Sequence, residues 1–293
     1  MAARLLGRRA FLERGCLVLV GATLPFGQLR AAEEAAPLVR IGLLTDLHHA
    51  DRPPSGSRYY RETLAKCTEA ADHFRRDKVD HVVELGDLID SADSLETEKG
   101  YLRRIRRELA AAPGTHHFVL GNHCVSALTK LEFLEIVGQE RSYYSFEAGG
   151  HRFVVLDACF RGDGEPYGRQ NFTWTDANIP AEQIDWLRSE LKAVSNGAIV
   201  LVHQRLDVEP PYGIKNAAEV RKVLEDSGRV LAVLQGHYHP GDYREVKGIH
   251  YCTLSAMIEG SGPQNNAYAV MDVLPGGAIR IAGFRRQRDC EWR

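Results

Sequence analysis

Five short apolar runs, each of the kind that forms a buried strand, are followed at once by side chains that can bind a metal ion. The runs and the residues after them are Ile41–Leu44 with Asp46 and His48, Val82–Leu85 with Asp87, Phe118–Leu120 with Asn122 and His123, Ile199–Val202 with His203, and Leu231–Leu234 with His237 and His239. In an open α/β sheet, ligands bind outside the carboxyl ends of the strands. The pattern therefore predicts that these oxygen and nitrogen donors meet at one edge of a sheet.

The spacing inside these groups supports a common site. Asp46 and His48 are two residues apart, so they face the same side of an extended backbone, and the same spacing separates the two histidines of the last group. A glycine directly before a ligand allows a sharp turn and a close approach of the backbone to a cation. Such glycines are Gly86, Gly121 and Gly236.

The composition is that of an ordinary globular protein. The 293 residues are 44% hydrophobic and 26% charged, which permits one large domain or two modest ones. The formal net charge is −2, so electrostatics gives no reason to expect nucleic acid or an anionic membrane as a partner.

The first 36 residues differ in character from the rest and resemble a signal peptide followed by a linker. Arg8 and Arg9 precede a twelve-residue, mostly apolar stretch, Cys16–Gly27, which the alanine-rich Ala31–Ala36 follows. A membrane span needs about 20 residues, so no stable membrane insertion is expected. The run Arg8–Leu12 resembles a twin-arginine signal, which implies the twin-arginine export machinery as a partner and a periplasmic or extracellular location in a bacterium. The alternative is an ordinary secretory signal or an uncleaved anchor.

The cysteines do not indicate a disulfide framework. Five remain after the signal segment, an odd number, and none forms a C-x-x-C pair. We therefore expect buried free thiols. These residues are Cys67, Cys124, Cys159, Cys252 and Cys290.

The domain at residues 37–293 opens with the strand and helix rhythm of a parallel sheet. Leu64, Cys67, Ala71 and Phe74 lie on one face of the first helix. The predicted elements are a strand at Val39–Thr45, a helix at Tyr59–Arg75, a strand at His81–Leu85, a helix at Leu95–Ala111 and a strand at His117–Leu120.

The second half of this domain predicts another sheet. A long polar loop, Phe160–Ile179, interrupts it, and loops of this length in compact domains are usually functional. The last four strands are expected to pair antiparallel. The elements are a hairpin of Tyr143–Ala148 with His151–Leu156, helices at Ala181–Val194 and Lys215–Ser227, and strands at Ala198–His203, Val230–Gln235, Asp242–Val246, Ile249–Leu254, Ala267–Val273 and Ala278–Phe284. The sequence thus predicts one layered α/β domain with two sheets covered by helices.

The ligand pattern resembles the signature of the calcineurin-like metallophosphoesterases: D-x-H, G-D, G-N-H-D/E, a lone H and G-H-x-H. Four of the five blocks are intact and all are in order. The resemblance implies a four-layer α-β-β-α sandwich with a dinuclear metal site at the carboxyl ends of the strands. It assigns Asp46, His48, Asp87 and His239 to one ion and Asp87, Asn122, His203 and His237 to the other, with Asp87 bridging.

The donor set also has a physical interpretation of its own. Oxygen and imidazole donors without thiolate suit Mn²⁺, Fe or Zn²⁺. Two divalent ions outweigh Asp46, Asp87 and a bridging hydroxide in charge, so the site is left cationic and attracts phosphate. A pair of ions activates water and clamps the attacking and leaving oxygens, which favours hydrolysis at phosphorus with the bridging hydroxide as nucleophile. Asp87 is therefore expected to be essential for catalysis.

His123 takes, by the same resemblance, the role of a catalytic imidazole that does not bind metal and that stabilises the transition state or protonates the leaving oxygen. The sequence departs from the family at the next position, where Cys124 replaces the usual Asp or Glu. Either another acid replaces that carboxylate, or His123 works with a lower pKa.

Further features narrow the substrate class. Asp90 stands where purple acid phosphatases have a tyrosine ligand, which disfavours that subfamily. The runs Arg58–Arg61, Tyr143–Phe146 and Gly241–Gly260 resemble the manganese-dependent ADP-ribose/CDP-alcohol diphosphatases. Candidate residues for base stacking or phosphate contact are Tyr59, Tyr60, Arg169 and Asn171. Core packing of the tyrosines and a solvated loop for the other two are the alternatives.

The leading hypothesis is a metal-dependent hydrolase of phosphodiester or pyrophosphate bonds in small nucleotide-like molecules. A broad phosphomonoesterase or a cyclic-nucleotide phosphodiesterase is the alternative enzyme. A binding scaffold without activity is disfavoured, because such a protein loses metal ligands and all seven are present in this sequence.

Overall fold

The computed structural model describes residues 4–6, 10–13, 16–19 and 35–293, and the chain divides after Ala36 into two compact units. In the first unit, three short strands pair antiparallel, namely β1 (Arg4–Leu6), β2 (Ala10–Glu13) and β3 (Cys16–Leu19). The other positions of the expected signal segment, up to residue 34, lie outside the described residues. Within the described part of the chain, no helix is long and apolar enough to cross a membrane.

The first half of the second unit has the expected alternation of strands and helices. A 3₁₀ turn at Tyr60–Glu62 takes up the first part of the predicted first helix, so α1 begins only at Thr63. One helix was not predicted, and it is capped by reciprocal hydrogen bonds between Thr129 and Glu132. The elements are β4 (Val39–Leu44), α1 (Thr63–Asp77), β5 (His81–Glu84), α2 (Leu95–Leu109), β6 (Thr115–Phe118) and α3 (Lys130–Val137).

The second half also agrees with the predicted pattern, apart from a short final strand. The elements are β7 (Tyr144–Ala148), β8 (His151–Val155), α4 (Ala181–Lys192), β9 (Ala198–Leu201), α5 (Ala217–Ser227), β10 (Val230–Gln235), β11 (Asp242–Val246), β12 (Ile249–Thr253), β13 (Ala267–Val273), β14 (Ile279–Arg285) and β15 (Cys290–Trp292). Antiparallel pairing in this region is confirmed for β11 with β12 and for β13 with β14, while β12 also pairs parallel with β10.

Two six-stranded sheets form the centre of this unit. Their strand orders are β15-β14-β13-β4-β5-β6 and β11-β12-β10-β9-β8-β7. One apolar cluster, with Leu43, Val83, Ile199 and Leu234, contains residues of both sheets, so the sheets pack face to face. A second apolar cluster packs the outer face of one sheet against α1–α3, and a third packs the outer face of the other sheet against α4–α5. This arrangement confirms the predicted four-layer α-β-β-α sandwich.

The parallel strands of both sheets position the candidate site. The residues of β4, β5, β9 and β10 are almost all buried, because layers cover both faces of each sheet. Burial of one large aliphatic side chain contributes about 1.5–3 kcal/mol, so these strands are fixed firmly in register. The turns that follow them therefore leave the sandwich at defined points.

Candidate metal centre

The turns after the parallel strands bring all seven predicted ligands into one region, and four of them have an unusual backbone. Asp46, His48, Asp87 and His237 have φ angles of 51°, 44°, 58° and 69°, in the left-handed region. Such a conformation is uncommon for residues other than glycine and costs of order 1–3 kcal/mol each. The surrounding fold holds it, and strain of this kind is typical of functional sites.

All three glycines that precede ligands are required by close packing, and a Cβ atom at Gly86 would collide with the His203 ring. A Cβ atom at Gly121 would collide with the carboxylate and backbone nitrogen of Asp87. A Cβ atom at Gly236 would collide with the hydroxyl of Thr45 and crowd the Asp46 carboxylate. The backbone therefore approaches the carboxylates as closely as the sequence pattern predicts.

Asp46, His48 and His239 form the first group of converging donors. Asp46 Oδ1 lies 3.6 Å from His48 Nε2 and 3.6 Å from His239 Nε2, and the two imidazole nitrogens are 3.2 Å apart. Donor atoms at these separations surround a common point. The group therefore has the geometry of a site for one cation.

Asp87, His203 and His237 form the second group, and Asn122 lies in the same cavity as Asp87 and His237. His203 Nε2 lies 3.1 Å from Asp87 Oδ2. Among the residues that the structure describes, four buried donor atoms of these ligands have no hydrogen-bond partner: Asp46 Oδ1, Asn122 Oδ1, His203 Nε2 and His237 Nε2. Leaving such an atom unpaired costs about 1–3 kcal/mol, and a bound cation removes that cost. The residues present therefore fit two metal ions.

Asp87 lies between the two groups. Its Oδ1 accepts a hydrogen bond of 2.8 Å from the backbone N–H of His123. Its Oδ2 is 3.7 Å from His48 Nε2 and 3.1 Å from His203 Nε2. Burial alone would raise the pKa of Asp87, but the nearby His203 and His123 imidazoles hold it well below the ordinary value. The carboxylate is ionised and placed where a bridging ligand belongs.

Hydrogen bonds fix which ring nitrogen faces the site in two of the ligand histidines. His203 Nδ1 donates to the Leu85 carbonyl at 2.8 Å, and His239 Nδ1 donates to Glu259 Oε1 at 2.6 Å. In both rings Nε2 is left with its lone pair toward the metal position. The bond to His239 also lowers the pKa of Glu259 to about 2. Glu259 lies in the run Gly241–Gly260 that resembles the diphosphatases, but the sequence pattern does not predict this role for it.

The carboxylate expected beside His123 comes from a different loop. His123 Nδ1 lies 2.9 Å from Asp90 Oδ1, and Asp90 also accepts a 2.7 Å bond from Arg52. Burial lowers the pKa of His123, but Asp87 and Asp90 raise it more, so the net shift is upward. Cys124 is fully buried in the apolar cluster of α1–α3, where a carboxylate would be desolvated. Asp90 therefore takes the place of the acid that the family has next to this histidine. This is the first of the two alternatives drawn from the sequence.

The metal-ligand cavity has a volume of about 600 Å³. Besides ligands, its walls include Arg58, Trp174, Tyr212, Tyr238 and Glu259. A side cavity of about 260 Å³, lined by polar residues and Phe172, shares three residues with it. The shared residues are Asn122, His123 and Trp174.

The predicted substrate contacts lie elsewhere. Tyr60 is buried against Ala256 and Ile258 with the Arg52 guanidinium 3.8 Å from its ring, so the core-packing alternative holds for it. Tyr59 precedes the 3₁₀ turn and does not line the metal-ligand cavity, whereas its neighbour Arg58 does.

Arg169 and Asn171 hold their loop in place and do not reach the metal-ligand cavity. Arg169 donates to the Ala127 carbonyl at 2.6 Å and pairs with Glu132 at 2.8 Å. The Asn171 side chain bonds the backbone of Pro166 and Gly168. Both residues line a different cavity. The residues that sequence reasoning missed, Trp174 among them, lie in loops without periodicity, although Trp174 falls in the long loop expected to be functional.

Comparison with known proteins agrees with this site. A family model described as calcineurin-like phosphoesterase matches residues 39–241. A manganese-dependent ADP-ribose/CDP-alcohol diphosphatase of Arabidopsis thaliana is 25% identical over 299 residues, which covers 86% of this chain and 96% of that protein. A protein of the same description from Danio rerio is 25% identical over 295 residues, which covers 80% of this chain and 91% of that protein.

The fold is also found in a solved structure. The crystal structure of a dimetal phosphatase from Danio rerio matches with a TM-score of 0.77 at 22% identity. The match covers 87% of this chain and 99% of that one.

Proposed function

The chain belongs to the calcineurin-like phosphoesterase family, and on that premise we propose that it hydrolyses phosphodiester or pyrophosphate bonds in small nucleotide-like molecules. The observation that carries the proposal is the convergence of the seven donors, four of whose buried atoms lack any partner within the described residues. The two relatives described as diphosphatases of ADP-ribose and CDP-alcohols support the substrate class.

The seven ligands fall into two sets, one for each metal position. Asp46, His48 and His239 would hold one ion, Asn122, His203 and His237 the other, and Asp87 would bridge them. When bound, the ions supply positive charge to a phosphate and lower the pKa of water. Donors of carboxylate, amide and imidazole type suit manganese, iron or zinc.

His123 is the proton donor in this proposal. Because its Nδ1 is held by Asp90, its Nε2 is the nitrogen left for the cavity. His123 lines both cavities, so a leaving oxygen at their junction lies beside it. Asp90 is a positioning residue that fixes the ring and favours its protonated form.

The two cavities favour a substrate with a substituent on each side of the scissile bond. A phosphomonoester has only one such substituent, whereas a pyrophosphate or phosphodiester has two. The larger cavity and the side cavity meet at Asn122 and His123, next to the metal positions. This arrangement favours the leading hypothesis over a broad phosphomonoesterase.

Activity measurements on a panel of substrates test the proposal. The panel is ADP-ribose, CDP-choline, cyclic AMP and p-nitrophenyl phosphate, each with Mn²⁺, Fe²⁺ or Zn²⁺. We expect metal-dependent turnover, fastest on ADP-ribose or CDP-choline, and none in Asp87→Asn, while the exposed control Asp163→Asn behaves as wild type. Preference for cyclic AMP or the monoester would support an alternative enzyme, and metal-loaded but inert protein would support a scaffold. Activity retained in Asp87→Asn would contradict the mechanism.

We also infer that residues 1–36 direct export. The support is the twin-arginine-like run Arg8–Leu12 ahead of an apolar stretch. Fractionation of bacterial cells that express the full chain tests this inference. The protein should leave the cytoplasm, and the double substitution Arg8→Lys, Arg9→Lys should retain it there.

A further inference from the structure

Two exposed aromatic side chains stand at the metal-ligand cavity. Trp174 and Tyr212 each leave 40% of their surface accessible, although nearly all other large apolar side chains of the described residues are more deeply buried. Both line the cavity that contains the metal ligands. Exposed aromatic surface beside a catalytic cavity is typical of a binding site.

Contacts with residues of the metal centre hold the two rings in place. The Trp174 ring centroid is 5.5 Å from that of His237, and the Tyr212 centroid is 5.9 Å from it. The two rings are 5.7 Å apart and tilted by 47°, and Tyr238 meets Tyr212 edge-on at 5.0 Å. A flat ligand cannot enter between them at this distance, so it would lie on their exposed faces.

The two loops that carry the rings are fastened to each other. Asp176, in the turn that contains Trp174, forms an ion pair with Lys215. The backbone N–H of Lys215 also donates to the Ala177 carbonyl at 2.8 Å. The backbone of Arg205 donates to the Tyr212 carbonyl at 3.2 Å. The aromatic faces are thus ordered before a ligand binds, which reduces the entropic cost of binding.

The same cavity has a positively charged side chain, Arg58, in addition to the two aromatic rings. The Arg58 guanidinium lies 4.0 Å from the Asp90 carboxylate. A cavity that combines an arginine, metal ligands and exposed aromatic rings suits a molecule with both phosphate and a flat ring. Nucleotides have both parts.

We propose that Trp174 and Tyr212 form the subsite for the heteroaromatic base of the substrate, with the base stacked on their exposed faces. The inference rests on the proposed function, because it concerns the same cavity. It replaces Tyr59 and Tyr60 as the base-stacking residues. Trp174 and Tyr212 therefore decide specificity, and they are not needed for the chemistry at phosphorus.

Calorimetric titration of the manganese-loaded, full-length protein with AMP and with ribose 5-phosphate isolates the base. Both ligands carry the same phosphate, so a difference in affinity reports the base alone. We expect wild type to bind AMP about tenfold more tightly, in keeping with stacking energies of roughly 1–3 kcal/mol per base. Trp174→Ala should weaken AMP binding about tenfold and change ribose 5-phosphate binding less than about twofold. Trp174→Phe should retain most of the AMP affinity, and Trp186→Phe, on α4, is the matched control.

Kinetics on ADP-ribose separates failure of this inference from failure of the proposed function. If wild type hydrolyses none of the diphosphate or diester substrates, the proposed function fails. If wild type is active but does not prefer AMP to ribose 5-phosphate, the base subsite is refuted. It is equally refuted if Trp174→Ala weakens the binding of AMP and of ribose 5-phosphate by the same factor, since Trp174 would then act only through His237. Should Trp174→Ala fail to fold, Trp174→Leu and Tyr212→Ala provide the same comparison.

Discussion

At the scale of single residues, hydrogen bonds between neighbouring turns stabilise the strained backbone of the metal ligands. Asp46 and His48 keep left-handed φ angles while their backbone N–H groups donate to the Gly86 and Asp87 carbonyls at 2.9 and 2.8 Å. Glycine would adopt these angles without strain but would remove the donor atoms. The hydrogen bonds between adjacent turns therefore offset the strain that the ligands require.

Substitution of Asp90 tests how His123 is prepared for proton transfer. Asp90→Asn preserves shape but removes the charge that favours protonated His123, and it allows the wrong tautomer. We expect kcat to fall by roughly 10²-fold with little change in KM, because a positioned acid contributes 10²–10⁴-fold. Steady-state kinetics on the best substrate measures both values.

The matched control for Asp90→Asn is Cys124→Ala. Cys124 is buried among apolar side chains, and burial raises the pKa of its thiol, so it stays neutral and cannot replace the carboxylate. The alanine variant should keep kcat near the wild-type value. A loss in Cys124→Ala as large as in Asp90→Asn would show that packing, and not the carboxylate, prepares His123.

At the scale of elements, the sequence predicted the parts of the site that depend on strands. Runs such as Val82–Leu85 and Ile199–Val202 are apolar because both sheet faces are covered, and the ligands follow directly. The partners of those ligands are not predictable in this way. Asp90 lies 33 positions from His123, and loop geometry without any period brings them together.

The two tyrosines just before α1 are another case in which the sequence did not predict which side chain faces the cavity. The resemblance of the run Arg58–Arg61 to the diphosphatases suggested Tyr59 and Tyr60, but the 3₁₀ turn at Tyr60–Glu62 places Tyr60 in the core and leaves Arg58 at the cavity. A shift of one residue in a turn changes which side chain faces the site. Such a shift depends on packing against distant residues, here Ala256 and Ile258.

Helix α1 supports the metal centre through a buried ammonium group. Lys66 donates to the carbonyls of Met257, Glu259 and Gly260 at 2.8, 3.0 and 2.7 Å. Burial lowers its pKa to about 8, so the ammonium form still prevails at neutral pH. The loop that it holds contains the Glu259 carboxylate that orients His239.

We therefore expect Lys66→Met to weaken Mn²⁺ binding through Glu259. Loss of a residue that orients a ligand typically costs 10- to 100-fold in metal affinity. Titration calorimetry should show a loss of about tenfold in Lys66→Met and in Glu259→Gln. The double variant should lose no more than Glu259→Gln alone, because both changes act on His239.

The control for this comparison of single and double variants is Lys222→Met, at an exposed position on α5. If Lys66→Met does not fold, Lys66→Arg, which keeps the charge, replaces it. Additive losses in the double variant would mean that Lys66 supports the fold without acting through Glu259.

At the scale of the whole molecule, the metal centre joins the two sheets. The turns after β4, β5 and β6 of one sheet supply Asp46, His48, Asp87 and Asn122, and the turns after β9 and β10 of the other supply the remaining histidines. Metal binding is therefore coupled to the packing of the sandwich.

One open side of the sandwich is closed by aromatic contacts between edge strands. His117 of β6 stacks on Phe146 of β7 with ring centroids 3.7 Å apart and an 8° angle between planes. Its Nδ1 is 3.0 Å from the Tyr144 hydroxyl and its Nε2 is 3.1 Å from His81 Nδ1. Neutral His117 satisfies both contacts, since Tyr144 donates its own proton to Gln139.

This edge should make the fold sensitive to acid. Burial, with the neighbouring His81 and His116, lowers the pKa of His117 to about 3 from 6.5. Between these values the unfolded chain takes up a proton that the folded chain does not, so stability falls as the pH decreases from 6.5 toward 3. At pH 4.5 the loss from this residue should be about 3 kcal/mol.

Urea unfolding at pH 7.5 and pH 4.5, with chelator at both so that metal release does not contribute, measures the effect. His117→Phe keeps the stack on Phe146 but cannot be protonated, and it retains the other histidines of this edge. Its free energy of unfolding should therefore decrease by about 3 kcal/mol less than that of wild type between the two pH values. An equal decrease in both proteins would mean that folded His117 takes up a proton freely, and that the contact between the sheets opens at this edge before the domain unfolds.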